Sequence, residues 1–309
     1  MAQTQTSQFL SGNTAAINEF LDKFDTFLLD CDGVLWSGDN VFEGVPETIA
    51  MLRAKNKRTV FVTNNSTKSR PEYQKKLASK GIECDVDDIF GSAYSAAIYI
   101  SRILKPEAPR NKVFVVGERG IEDELRSEGV PFIGGTDPAY RHDMTDADWK
   151  GLADGSVLDP DVGVVLAGLD FHINYLKIAH AYQYLRRGAA FIASNTDSTL
   201  PMSGNFFPGA GSTMIPIANM IGRQPLALGK PSQAMMDAVE GKFKLDRSRT
   251  CMIGDRLDTD IKFGIEGKLG GTLAVQTGVN KKEDWEKEDA VARPAFYVDK
   301  LSDLLAAGQ

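Results

Sequence analysis

Four short apolar runs in this chain each stop abruptly at acids, amides or a lysine, and that pattern leaves few folds open. Thr26-Phe27-Leu28-Leu29 ends at Asp30-Cys31-Asp32-Gly33, and Val60-Phe61-Val62 ends at Thr63-Asn64-Asn65-Ser66. Leu226-Ala227-Leu228 ends at Gly229-Lys230-Pro231, and Thr250-Cys251-Met252-Ile253 ends at Gly254-Asp255, with Asp258 and Asp260 close behind. Apolar, β-branched and aromatic runs of this length read as buried strands. Helical patterns lie between them, and strands alternating with helices imply a parallel sheet. Open α/β sheets bind ligands at the carboxyl ends of their strands. The polar residues should therefore converge on one edge.

Their chemistry is complementary. If extended geometry persists past Leu29, the Asp30 and Asp32 side chains point the same way, and Gly33 allows a sharp turn. Neighbouring carboxylates repel and are costly to bury uncompensated. A magnesium ion with a phosphate group would satisfy them. Thr63, Asn64 and Asn65 offer neutral donors for phosphate oxygens. Lys230 supplies a fixed positive charge, although the segment lacks the spacing of a Walker lysine. Asp255 stands at a strand end as Asp30 does, and magnesium prefers carboxylate, water and phosphate oxygens. Taken singly, each segment also fits an ordinary solvated turn or a charge favoured in the first turn of a helix.

In their order, Asp-x-Asp-Gly, Thr-Asn-Asn-Ser, Gly-Lys-Pro and Gly-Asp-Arg-x-x-Thr-Asp resemble the haloacid dehalogenase superfamily of phosphatases. The resemblance is nearest to its phosphoglycolate, 4-nitrophenyl and pyridoxal phosphatase branch. It covers nearly the whole chain, with no departure at a motif residue. It implies a Rossmann-like, doubly wound parallel-sheet core with a large α/β cap inserted between the second and third motifs. It also implies a homodimer joined through the caps.

The same resemblance implies the roles. Asp30 attacks phosphorus to form an aspartyl-phosphate, and Asp32 protonates the departing alkoxide, then takes a proton from the water that resolves the intermediate. Mg2+ is held by the side chains of Asp30 and Asp255 and the backbone carbonyl of Asp32. Thr63, the Asn64 backbone and Lys230 neutralise the phosphoryl oxygens, while Asn65 braces the loop. Asp260 stands behind them, holding Lys230 or metal-bound water. The substrate is a small phosphorylated metabolite, with 2-phosphoglycolate favoured over pyridoxal phosphate or a broad range of esters. Leu200, in Asp197-Ser198-Thr199-Leu200-Pro201, occupies the specificity position where the pyridoxal phosphatase type carries histidine. Arg141 and His142 are candidates for a substrate carboxylate, and Arg256 for a carboxylate of substrate or protein.

A competing class is a receiver module that keeps phosphate on aspartate, since receivers also set acids, threonine and lysine around magnesium. Asp32, placed to activate water, and the long insertion both tell against it.

The 309 residues suit a core with a large insertion. We divide them as 1–105 core, 106–208 cap and 209–309 core, with Pro106-Glu107-Ala108-Pro109 as a linker. Helices are expected over 44–56, 70–80, 92–104, 120–128, 172–187 and from Ser212 to Met220. Cap strands are expected near 113, 162 and 190, an irregular loop over 138–160, and core strands at 226, 252 and 273. Net charge of −7 without a basic stripe argues against nucleic acid. No run is long enough to span a membrane. Cys31, Cys84 and Cys251 show no zinc or disulfide framework, which fits a reducing compartment. With a polar N-terminus, these features predict a cytoplasmic protein, the nucleus left open.

Overall fold

The computed structural model describes residues 6–202 and 205–308. Residues 1–5, the head of the polar N-terminal stretch, lie outside the described residues.

Seven strands form one all-parallel sheet, in the order Gln8–Phe9, Phe296–Val298, Gly271–Val275, Thr250–Gly254, Thr26–Leu29, Arg58–Thr63, Ile89–Gly91. The motif strands Thr250–Gly254, Thr26–Leu29 and Arg58–Thr63 are adjacent at its centre. A strand alternates its side chains, so each contributes to two packed layers. Phe27, Leu29, Phe61, Cys251 and Ile253 pack on one face with the helix Thr14–Lys23 and the helix Val45–Ala54. Leu28, Val60, Val62 and Met252 pack on the other with Met235, Met236 and Val239 of the helix Gln233–Phe243. Burial on both faces explains why these strands read as continuous apolar runs.

A second parallel sheet forms the inserted unit, ordered Leu226–Ala227, Ala190–Ala193, Val162–Ala167, Lys112–Val116, Phe132–Gly134. One face carries Phe114, Val165 and Phe191 against the helices Tyr175–Arg186 and Ala210–Ile221. The other carries Val113, Val164 and Ile192 against Ala93, Ala96 and Ala97 of the helix Ser92–Ile98. That helix precedes the second sheet in sequence yet packs on it. The carboxyl ends of the two sheets' strands meet at one cleft, lined from the core by Asp30, Thr63 and Asp255 and from the insertion by Leu169, Asn195 and Asp197.

Several elements depart from the sequence expectation. The strand at Leu226 belongs to the second sheet, pairing Ile192 with Leu226 and Ala193 with Ala227. A two-residue strand has too little pattern to reveal its partner. The stretch 138–160 holds a helix, Asp146–Asp154, whose start is fixed by a reciprocal Thr145–Asp148 capping box. Ser212 caps nothing. Gly209 precedes that helix, and the Ser212 hydroxyl donates to the Ser198 carbonyl at 2.6 Å. His172 and His180 do not share a helix, because Asn174 caps the helix that starts at Tyr175. His172 is exposed, whereas His180 is buried among Phe114, Tyr140 and Tyr184, and that burial lowers its imidazole to about 4. No helix among the described residues is long and apolar enough to cross a membrane.

Candidate active site

The strand Thr26–Leu29 ends one residue before Asp30, whose amide still donates to the Ile253 carbonyl at 2.9 Å. Extended geometry stops there. The Leu35 amide turns back to the Cys31 carbonyl at 2.9 Å, and Gly33 adopts φ of +90°. The Asp30 and Asp32 side chains line the same cleft but take different partners. Asp30 is buried beside Lys230, while the Asp32 side chain is 40% exposed toward Trp36 and Lys76.

Lys230 is the hub. Its ammonium lies 2.6 Å from Asp30 Oδ1 and 2.7 Å from Asp260 Oδ1, and donates to the Val62 carbonyl at 2.8 Å. Burial by itself lowers a lysine, but Asp260 and Asp30 outweigh it here and hold the ammonium above its ordinary range. Burial pushes the Asp30 carboxyl well up. Lys230 opposes that rise, and Asp260 and Asp255 add to it. Asp255 is pushed up to about 7, by burial first and then by Asp260.

These shifts share one cause. Asp30, Asp255 and Asp260 are all buried, with carboxylate oxygens within 4.8 Å of one another. Lys230 is the buried cation among them, so three carboxylates against one ammonium leave two formal negative charges in excess. The two outer acids differ in their partners. Asp260 Oδ1 faces Lys230, and Oδ2 accepts the amides of Asp255 at 3.2 Å and Arg256 at 3.1 Å. Asp255 Oδ2 accepts the Val279 amide at 2.7 Å, but the buried Oδ1 has no hydrogen-bond partner. A buried oxygen without a protein donor calls for a water or an ion. A divalent cation fits both the orphaned oxygen and the charge excess. Glycines shape this recess. A Cβ on Gly33 would stand 2.4 Å from Asp255 Oδ2, and one on Gly278 only 1.9 Å.

Asp32 is held by residues the sequence reading missed. The Trp36 indole donates to Asp32 Oδ1 at 2.7 Å, and Lys76 stands 3.6 Å from the same oxygen, over the Trp36 ring. The other oxygen has the Tyr73 hydroxyl 3.5 Å away, a weak contact that leaves it open toward the cleft. Nothing in the spacing of Tyr73 and Lys76 on their helix points to Asp32. Only the packing of that helix beside the Asp32 loop does.

The Thr63–Ser66 loop is tied down internally. Thr63 Oγ1 accepts the Asn65 amide at 3.1 Å, and Asn65 Oδ1 accepts the Thr67 amide and hydroxyl at 3.0 and 2.7 Å. Asn65 thus braces the loop through its side chain. The Asn64 side chain is turned toward the main chain of Lys230.

Leu169, Thr199, Leu200, Pro201 and Arg256 line the rest of the cleft. Leu200 lies on the strand Thr199–Met202, paired antiparallel with Asn205–Pro208. Arg256 is gripped by Asp258 at 2.8 and 3.1 Å and reaches Thr199 Oγ1 at 3.3 Å. The structure does not bring Arg141 and His142 here. Arg141 pairs with Glu118 at 3.1 Å, and the exposed His142 ring contacts the Asp143 carbonyl at 2.8 Å. Cys31 is not activated as a nucleophile, since burial and then Asp30 and Asp32 push its thiol well up.

Residues 27–131 match a family model described as haloacid dehalogenase-like hydrolase, and residues 227–304 match a second, HAD-hydrolase-like, model. A 4-nitrophenylphosphatase of Schizosaccharomyces pombe is 47% identical over 93% of this chain and 95% of its own length. The chloroplastic phosphoglycolate phosphatase 1A of Arabidopsis thaliana is 42% identical over 94% of this chain and 78% of its own. The crystal structure of a glycerol phosphate phosphatase from Mycobacterium tuberculosis, in complex with magnesium, is similar at a TM-score of 0.75 and 27% identity. That similarity covers 92% of this chain and 77% of the other.

Proposed function

Starting from the fact that the chain belongs to the haloacid dehalogenase-like hydrolases, we propose that it is a magnesium-dependent phosphomonoesterase acting through Asp30 on small phosphorylated metabolites. The observation that carries this reading is the buried Asp30–Lys230–Asp260 chain beside an Asp255 oxygen that lacks a partner.

Phosphate monoesters hydrolyse so slowly in water that catalysis can require rate gains of up to ~10²¹-fold. A carboxylate nucleophile divides that barrier into two displacements. Asp30 attacks phosphorus while the ester oxygen leaves, and Asp32 gives that oxygen a proton. Water then attacks the aspartyl-phosphate, Asp32 takes the water's proton, and phosphate departs with Asp30 restored. Trp36 and Lys76 fix the orientation of Asp32 through one oxygen, leaving the other for proton transfer. Lys230 and the amides of the Thr63–Ser66 loop face the transferring oxygens, a preorganised electrostatic role. Asp30, Asp255 and the Asp32 carbonyl would hold the magnesium ion, which when bound neutralises charge on the acids and the phosphoryl group.

For the ester itself, 2-phosphoglycolate remains the favoured reading. Leu200 makes the specificity position apolar, and the relatives named above include a phosphoglycolate phosphatase. Beside Lys230, Arg256 is the basic side chain lining the cleft, so a substrate carboxylate would be met there rather than by Arg141 or His142. A homodimer joined through the caps belongs to the same reading, and the exposed aromatics Trp149, Phe171 and Tyr175 give the insertion an apolar surface suited to it.

The test is a panel of 2-phosphoglycolate, glycerol 3-phosphate, pyridoxal phosphate and 4-nitrophenyl phosphate, each with magnesium and with chelator. We expect hydrolysis that chelator removes, with the highest kcat/KM for 2-phosphoglycolate. A preference for pyridoxal phosphate or a flat profile would overturn the substrate assignment alone. No hydrolysis of any ester would overturn the function.

A further inference from the structure

We infer that Asn195 and Asp197, carried by the insertion, are positioning residues for Lys230, acting through the Asn64 amide. The inference rests on the phosphatase reading for its kinetic consequence, not for its geometry.

The Asn64 side chain grips both ends of the Lys230 peptide. Its Oδ1 accepts the Lys230 amide at 2.7 Å, and its Nδ2 donates to the Lys230 carbonyl at 3.0 Å. Only one orientation of a planar amide can do both. The remaining Nδ2 hydrogen goes across to the insertion, to Asp197 Oδ1 at 2.9 Å. Asn64 therefore spends three of its bonding positions on fixing one arrangement.

Asn195 holds the same residue from its main chain. Its Nδ2 donates to the Asn64 carbonyl at 2.7 Å, and its Oδ1 accepts the Asp197 amide at 3.1 Å. Asn195 is buried, and Asp197 is sheltered enough that burial raises its carboxyl, with Arg256 opposing. There is no slack in the contact. A Cβ on Gly229 would lie 2.6 Å from Asn64 Oδ1 and 2.8 Å from Asn195 Cβ. The tie continues at Ser66, whose hydroxyl meets that of Ser194 at 3.1 Å.

The same loop that presents Thr63 and the Asn64 amide is thus bolted to the carboxyl end of an insertion strand. A hydrogen-bond network is as strong as its satisfaction. Removing the Asp197 acceptor leaves one Asn64 hydrogen unpaired in a buried site, freeing the amide to rotate and the Lys230 peptide to move. A shift of about 1 Å in a reacting group costs on the order of 10²-fold in rate.

Asp197→Ala should lower kcat for every ester by about tenfold to a hundredfold, with KM changed alike for all of them. Asp197→Asn keeps an oxygen able to accept from Asn64, so kcat should stay within about twofold of wild type. Asn195→Ala should reproduce the loss. Amide hydrogen exchange gives a readout free of turnover: the Lys230 segment should exchange faster in Asp197→Ala and Asn195→Ala than in wild type or Asp197→Asn. Thermal melts of the same variants establish that they are folded.

Unchanged exchange and unchanged kcat in Asp197→Ala would overturn the inference. So would an ester-specific rise in KM with kcat intact, which makes Asp197 a substrate contact. Failure of asparagine to rescue would overturn it too, because the charge of Asp197 and not its hydrogen bond to Asn64 would then be what matters. A wild-type protein that hydrolyses no ester would instead count against the phosphatase reading, leaving the exchange comparison to judge this one.

Discussion

Asp30→Asn should abolish ester hydrolysis, lowering kcat by at least about 10⁴-fold, while the protein stays folded. The substitution is nearly isosteric, and its amide oxygen can still accept from the Lys230 ammonium that lies 2.6 Å from Asp30 Oδ1. What it removes is the nucleophile's charge. That charge is one of three buried beside a single ammonium, so losing it relieves repulsion from Asp255 and Asp260. Stability should therefore hold or rise. Steady-state kinetics on 4-nitrophenyl phosphate, with a urea denaturation curve on the same sample, checks both halves. Magnesium-dependent turnover within about tenfold of wild type would remove Asp30 from the mechanism.

Lys230→Met should do the opposite to stability and much the same to rate. Methionine fills similar volume but cannot pair with Asp30 and Asp260, both buried against the ammonium. Breaking a buried ion pair by removing one partner costs about 3–5 kcal/mol, because the remaining charge is left uncompensated. Catalysis should fall by about 10²–10³-fold or more, the scale for losing a preorganised electrostatic partner. The double variant, Lys230→Met with Asp30→Asn, should recover part of the lost stability and none of the activity, since neighbours in one network do not add. A denaturation midpoint in Lys230→Met equal to that of wild type would mean that the buried acids do not depend on Lys230.

Much of this site is legible in the order of the residues alone. Asp30, Thr63, Lys230, Asp255 and Asp260 each follow an apolar run or sit just beyond one. Three of the four strand-end segments named at the outset do lie on adjacent strands of one sheet. The fourth was placed wrongly in detail. Lys230 reaches the core site from the end of a two-residue strand in the second sheet, where periodicity carries almost no information.

What escaped the sequence was long-range packing. Trp36 is four residues from Asp32 and could have been guessed, but Tyr73 and Lys76 reach Asp32 only because their helix packs beside it. The turn that begins at Cys31 and gives Asp32 its own set of partners could not be distinguished from a continued strand by residue spacing alone. The Asn64–Asp197 and Asn64–Asn195 bonds join residues more than a hundred positions apart. Arg141 and His142 looked available to a substrate because a polar loop gives no hint that Glu118 already claims the arginine.

The stereochemical course at phosphorus separates a covalent aspartyl-phosphate route from direct attack by water. An isotopically chiral phosphate ester, hydrolysed in labelled water with magnesium present, reports whether phosphorus is displaced once or twice. Attack by Asp30 followed by attack of water inverts configuration two times, so net retention is expected. Net inversion would mean that water attacks the ester directly, and would contradict the assignment of Asp30 as nucleophile.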